Sequence, residues 1–192
     1  GTNWTAGGNL TQGRELLTTN IGTQTAAVAA GGLVRSPEAA SALSEEYDGS
    51  TWSEGNNLNT ARYGLTGAGI LTASVVSGGH NGTAQVATTE EYNGTSWTAG
   101  EDRPYSAANA GSSGTLTASL VFGGDPSSAK TTTVSYDGTD WSSQPAMSQA
   151  RSMGGSSAAG TSSVALASAG GQPVTATEEF NDVATARSVD TT

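Results

Sequence analysis

The sequence predicts an all-β protein, a four-bladed β-propeller of four-stranded antiparallel blades, on three observations. A motif recurs at a near-constant interval, the segments between its copies are short and strand-like, and one copy is split between the two termini. An aromatic residue, an Asx-Gly pair and a Trp stand at Tyr47-Asp48-Gly49-Ser50-Thr51-Trp52, Tyr92-Asn93-Gly94-Thr95-Ser96-Trp97 and Tyr136-Asp137-Gly138-Thr139-Asp140-Trp141, at spacings of 45 and 44. The first half of a further copy is Glu178-Glu179-Phe180-Asn181 and the second half is Gly1-Thr2-Asn3-Trp4. A Gly pair marks each unit as well, at Gly31-Gly32, Gly78-Gly79, Gly123-Gly124 and Gly170-Gly171.

These markers divide one propeller domain, 1–192, into units of about 10–58, 59–101, 102–146 and 147–182 plus 1–8, with a tail at 183–192. In the tail, Ala184-Thr185-Ala186-Arg187 echoes Thr60-Ala61-Arg62 and suggests a truncated further repeat. Segments rich in Val, Thr, Ala and Tyr and bounded by Gly or Asx read as strands. The second unit shows them best, at roughly 62–68, 71–77, 86–92 and 96–100. The Asx-Gly pairs predict two-residue type I′ hairpins between third and fourth strands. Such a meander cannot bury both faces alone, so neighbouring sheets are expected to stack, and a ring protects their edges. The N-terminal strand bearing Trp4 is expected to close the ring beside Phe180.

Composition limits the function. The 192 residues are 34% hydrophobic and 12% charged, and the 26 Leu, Ile, Val and Phe residues imply a core of small side chains. A net charge of −10 leaves no basic patch for nucleic acid or an anionic membrane. No signal peptide or transmembrane run is visible. Without Cys there is no disulfide, thiolate catalysis or Cys-based zinc site.

A hydrophobic run ending in Gly-Gly, followed by an aromatic and then a Trp, resembles the kelch repeat over essentially the whole chain. The strings Glu-Glu-Tyr-Asn-Gly-Thr-Ser-Trp and Asn-Leu-Asn-Thr-Ala-Arg (Asn57 to Arg62) are similar to kelch-like repeats of structural proteins of tailed, especially marine, bacteriophages. The resemblance implies a propeller and a virion or extracellular surface. The third unit departs from it, with Val134-Ser135 where the others carry a Glu pair.

Repeat-equivalent aromatics are expected to pack between blades: Trp4, Trp52, Trp97 and Trp141, with Tyr47, Tyr92, Tyr136 and Phe180. Arg14, Arg62 and Arg151 each follow a repeat Trp by ten residues, and Arg103 follows Trp97 by six. Each is expected to form a partly buried, bidentate pair with one Glu of Glu45-Glu46, Glu90-Glu91 or Glu178-Glu179. A carboxylate ring for Ca²⁺ is the alternative, disfavoured because adjacent strand residues point to opposite faces. His80 is the single His, too little for a His-dependent triad, so no catalytic residue, cofactor or metal is expected.

In an up-and-down meander the connections after the second and fourth strands share one end of the stack. The connection after the second strand varies in length between units, which marks that end for binding. Candidate contacts are Arg35, Glu38, His80, Asn81, Asp102, Tyr105, Asp125 and Lys130. The expected function is non-catalytic: a phage or virion host-attachment module recognising a glycan or protein surface. Alternatives are a structural spacer contacting virion proteins or other copies of itself, or a carboxylate-dependent carbohydrate-active enzyme.

Overall fold

The computed structural model describes residues 3–18, 21–125, 127–152, 155–156, 162–168, 170 and 175–182. It is all-β, and among the described residues there is no helix. In the first sheet β1 (Gly22–Thr23), β2 (Ala26–Ala30), β5 (Ser44–Tyr47) and β6 (Trp52–Glu54) pair antiparallel in that order. A separate hairpin, β3 (Leu33–Arg35) and β4 (Glu38–Ala40), is inserted between β2 and β5. The second sheet is a meander of β7 (Thr66–Ile70), β8 (Ala73–Ser77), β9 (Thr89–Tyr92) and β10 (Trp97–Ala99). The third repeats it with β11 (Gly111–Thr115), β12 (Ala118–Phe122), β13 (Thr133–Tyr136) and β14 (Trp141–Gln144). The last contains β15 (Gly155–Ser156), β16 (Val164–Ser168) and β17 (Thr177–Asn181). No sheet closes on itself.

Successive sheets meet through their first strands. Ile21 bridges Gly69 in parallel, and β7 lies against β11, which lies against β15. Buried hydroxyls help join the second and third sheets: the Thr66 hydroxyl bonds Ser112 Oγ at 2.7 Å, and Ser112 in turn donates to the Gly67 carbonyl at 2.7 Å. Small residues let these strands approach. A Cβ on Gly67 would run into the Ile21 side chain. A second stitch uses left-handed backbone at equivalent positions, Leu16 (φ 53°), Gly64 (φ 63°) and Asn109 (φ 57°). Gly64 N–H donates to Leu16 O and Asn109 N–H to Gly64 O, so the first unit is tied to the second and the second to the third.

The core is thin and lies between sheets. Trp97 and Tyr92 bury against Ile21, Val28, Ala30 and Leu58 of the preceding unit. Trp141 and Tyr136 pack on Ala68 and Val75 in the same way. Within each sheet the two aromatics face each other across β5–β6, β9–β10 and β13–β14, with centroids 5.0, 4.7 and 4.8 Å apart.

Three expectations are corrected. The Asx-Gly connection is not a two-residue type I′ turn: Tyr47, Tyr92 and Tyr136 pair directly with Trp52, Trp97 and Trp141, leaving four residues in each loop. The Asx side chain organises that loop. Asp48 accepts from Ser50 and Thr51 N–H, Asn93 from Thr95 and Ser96, and Asp137 from Thr139 and Asp140. These bonds hold the Asp48 and Asp137 carboxyls below the usual range. The first strand of the second unit begins at Thr66 rather than near 62, because Arg62 and Tyr63 bond to Ser41 and His80 instead of joining the ladder.

The third correction concerns the N-terminus. Trp4 does not pair beside Phe180. Residues 3–10 form no strand, and Trp4 is fully exposed. Gly8 N–H donates to Ser50 O, and Thr11 N–H to Glu45, so this segment lies on the first sheet. Among the described residues no hydrogen bond joins the first sheet to the last, and the outer edge of β17 is unpaired. The tail at 183–192 lies outside the described residues.

Candidate functional site at the loop end of the stack

The connections after the second and fourth strands do meet at one end, and in three of the four units an ion pair fixes the meeting point, buried at Arg14–Glu45 and Arg62–Glu90 and partly exposed at Arg151–Glu178. Arg14 Nη2 lies 2.6 Å from Glu45 Oε1, Arg62 Nη2 2.8 Å from Glu90 Oε1, and Arg151 Nη2 3.0 Å from Glu178 Oε1; at Arg14 and Arg62 the expected bidentate fork is not formed, because Nη1 turns to backbone carbonyls instead. The same guanidiniums bond to carbonyls where the chain leaves β2 and β8 and where it enters β5 and β9. Arg14 Nη1 donates to Gly31 O and Leu43 O, and Arg62 Nη1 to Gly78 O and Thr88 O. The leading Gly of each pair is required here, since Gly31 and Gly78 sit at φ 68° and 65° with neighbouring atoms where a Cβ would go.

Each carboxylate also takes backbone N–H donors, from Thr11 for Glu45, Asn59 and Thr60 for Glu90, and Ser148 and Gln149 for Glu178. Burial alone would raise Glu45 and Glu178. The N–H donors and the arginines outweigh it and hold both below the ordinary carboxylate value. Glu45, Glu90 and Glu178 are thus engaged by Arg rather than gathered as a Ca²⁺ ring. Among the described residues no group of three or more His, Asp or Glu could hold a metal ion.

Arg103 departs from this pattern. It was expected to meet a Glu, but Val134 occupies the register position of Glu45, Glu90 and Glu178, and Ala107 the position of the paired Arg. The whole device has been replaced. Pro104, which has no N–H, stands where Asn59 donates to Glu90. The Tyr105 hydroxyl donates to Gly123 O at 3.2 Å, the carbonyl equivalent to those capped by Arg14 and Arg62. Arg103 lies fully buried over the Tyr105 ring at 4.8 Å, with Nη2 donating to Ala107 O and with Nε and Nη1 unpartnered. Burial lowers its pKa, as does the charge of Arg62.

The outer layer of this end holds the other candidate contacts. His80 stacks on Tyr63 with centroids 5.0 Å apart, and its Nδ1 accepts from Gly82 N–H, so Nε2 is the nitrogen left to donate outward. Asn81 caps the same loop through Thr83 and Ala84 N–H. Across to the third unit, Gln85 Nε2 donates to Asp125 Oδ1 at 3.0 Å, and Lys130 Nζ lies 3.5 Å from Asp125 Oδ2. The Gln85 bond, more than offsetting burial, keeps the Asp125 carboxyl low, with Ser127 and Ser128 N–H and Lys130 adding to it. The structure therefore joins His80, Asn81, Asp125 and Lys130 into one surface over two units.

The remaining candidates stand apart. Arg35 and Glu38 face each other at 3.5 Å on the exposed β3–β4 hairpin, where Arg35 also pairs with Glu15. Asp102 accepts from Thr89 N–H, and Tyr105 is held inside by Gly123 and Arg103. Sequence reasoning missed Tyr63 and Gln85. Tyr63 has Glu15, Ala108 and Ser152 as its repeat counterparts, so periodicity gave no signal for it. No protein-family model matches the chain, and no curated protein does.

Proposed function

We propose that the stacked sheets are blades of a β-propeller and that the protein is a non-catalytic binding module. Its ligand-facing surface is the loop end of the second and third units. The observation that carries this reading is the Tyr63–His80 stack set beside the Gln85–Asp125–Lys130 chain: a half-exposed aromatic platform next to fixed donors and acceptors of both charges. Sugars and polar peptide segments are recognised in this way, by stacking on a flat ring while hydroxyls or amides bond to preset polar groups. The repeat-borne charges support a non-catalytic role, since Glu45, Glu90 and Glu178 are each spent on an arginine. The kelch-like strings and their resemblance to tailed-phage proteins favour a virion or extracellular surface as the setting.

The test is a glycan and peptide array probed with the intact chain, followed by titration of any ligand found. Tyr63→Ala or His80→Ala should weaken binding at least about tenfold, whereas Arg35→Ala on the separate hairpin should leave it unchanged. Equal binding by all three variants would refute this surface as the site.

The alternative of a spacer that contacts other copies is favoured by one separate observation, the edge of β17 that no described strand pairs.

A further inference from the structure

The two ends of the stack are complementary, an inference that rests on the propeller reading above. The first two junctions between sheets each use one hydroxyl and one carboxylate. Tyr92 of the second sheet donates to Glu46 of the first, and Tyr136 of the third donates to Glu91 of the second. At the next junction both groups are lost together: the last sheet carries Phe180, without a hydroxyl, and the third carries Ser135, without a carboxylate. The terminal sheets retain the unmatched halves. Tyr47 of the first sheet and Glu179 of the last occupy the same register positions, yet neither makes a side-chain hydrogen bond among the described residues.

A second mismatch lies beside the first. Trp97 and Trp141 follow their Tyr across the strand pair and fill the space against the preceding sheet. Among the described residues no Trp stands across the strand pair from Phe180. A cavity of about 260 Å³ opens there instead, lined in part by Leu120, Phe122, Met147, Ala165 and Phe180. Trp4 is the chain's fully exposed Trp.

We propose that a second copy of the chain docks its first sheet on this last sheet. Residues around Trp4 of that copy pair along the open edge of β17, Trp4 enters the cavity beside Phe180, and Tyr47 donates to Glu179. The segment comes from a second copy because Gly8 and Thr11 fasten it to its own first sheet, which no described hydrogen bond links to the last. Such a contact is head-to-tail. Two copies close it into a ring of eight sheets, at the upper end of common propeller sizes.

The absence of Cys makes this directly testable. Trp4→Cys protein and Phe180→Cys protein are mixed under mild oxidation, alongside each single variant alone and the double variant. The expected result is a covalent species of twice 19.0 kDa in the mixture, formed at least about tenfold faster than in either single variant. If the double variant instead cross-links within one chain and the mixture does not, the N-terminal strand closes its own ring; the inference fails and the propeller reading stands. If neither cross-links, both fail.

Discussion

Replacing Glu90 by Val should cost about 3–5 kcal/mol of stability, because it removes the carboxylate that buried Arg62 is bonded to and leaves only the charge of Asp102 acting on it. The guanidinium is fixed by Gly78 O and Thr88 O and cannot swing to solvent without giving up those bonds. Asn59 and Thr60 N–H lose their acceptor as well. The third unit shows how the same site works without charge, with Val134, Ala107 and Pro104 at the three positions. Adding Arg62→Ala to Glu90→Val should therefore recover at least about 2 kcal/mol, since the isolated charge is the largest part of the loss. Urea unfolding of the single and double variants reads this out. A double variant no more stable than Glu90→Val would show that the pair is not what holds this junction.

The opposite sign is expected at Arg103. Among the described residues its Nε and Nη1 have no hydrogen-bond partner, and burial, with the charge of Arg62, disfavours its ionised form. Arg103→Met keeps the length and the packing on Tyr105 while removing a buried charge. Stability should rise by about 1–3 kcal/mol, the usual cost of unsatisfied buried donors. A fall of more than about 1 kcal/mol would mean that the stack over Tyr105 and the bond to Ala107 O outweigh desolvation. Taken together, the two sites predict that arginines of neighbouring units, at different positions in the repeat, make contributions of opposite sign.

Much of the strand content could be read from the sequence because the repeat states its own register. The Tyr–Trp spacing, the Gly pairs and the Arg–Glu pairing at Arg14, Arg62 and Arg151 all follow from periodic positions. What could not be read arose where one unit differs from the rest. Arg103 looked like a fourth repeat Arg by count, but Val134 and Pro104 had already removed the need for one. The turn type is not legible in the Asx-Gly pair because the side-chain oxygens of Asp48, Asn93 and Asp137 accept from backbone N–H groups two residues on, which stabilises a four-residue loop over a two-residue turn. The loop-end surface was half legible: His80, Asn81, Asp125 and Lys130 lie in variable loops, whereas Tyr63 and Gln85 join them only through the stacking of one unit on another.

The complementary ends are the feature on which the assembly rests, and sedimentation of the unmodified chain over a concentration series tests them most directly. The account predicts reversible association to twice 19.0 kDa, weakened about tenfold by Glu179→Gln and by Tyr47→Phe, with the two substitutions together costing no more than either alone. A 19.0 kDa species at every concentration, or association untouched by both substitutions, would contradict it.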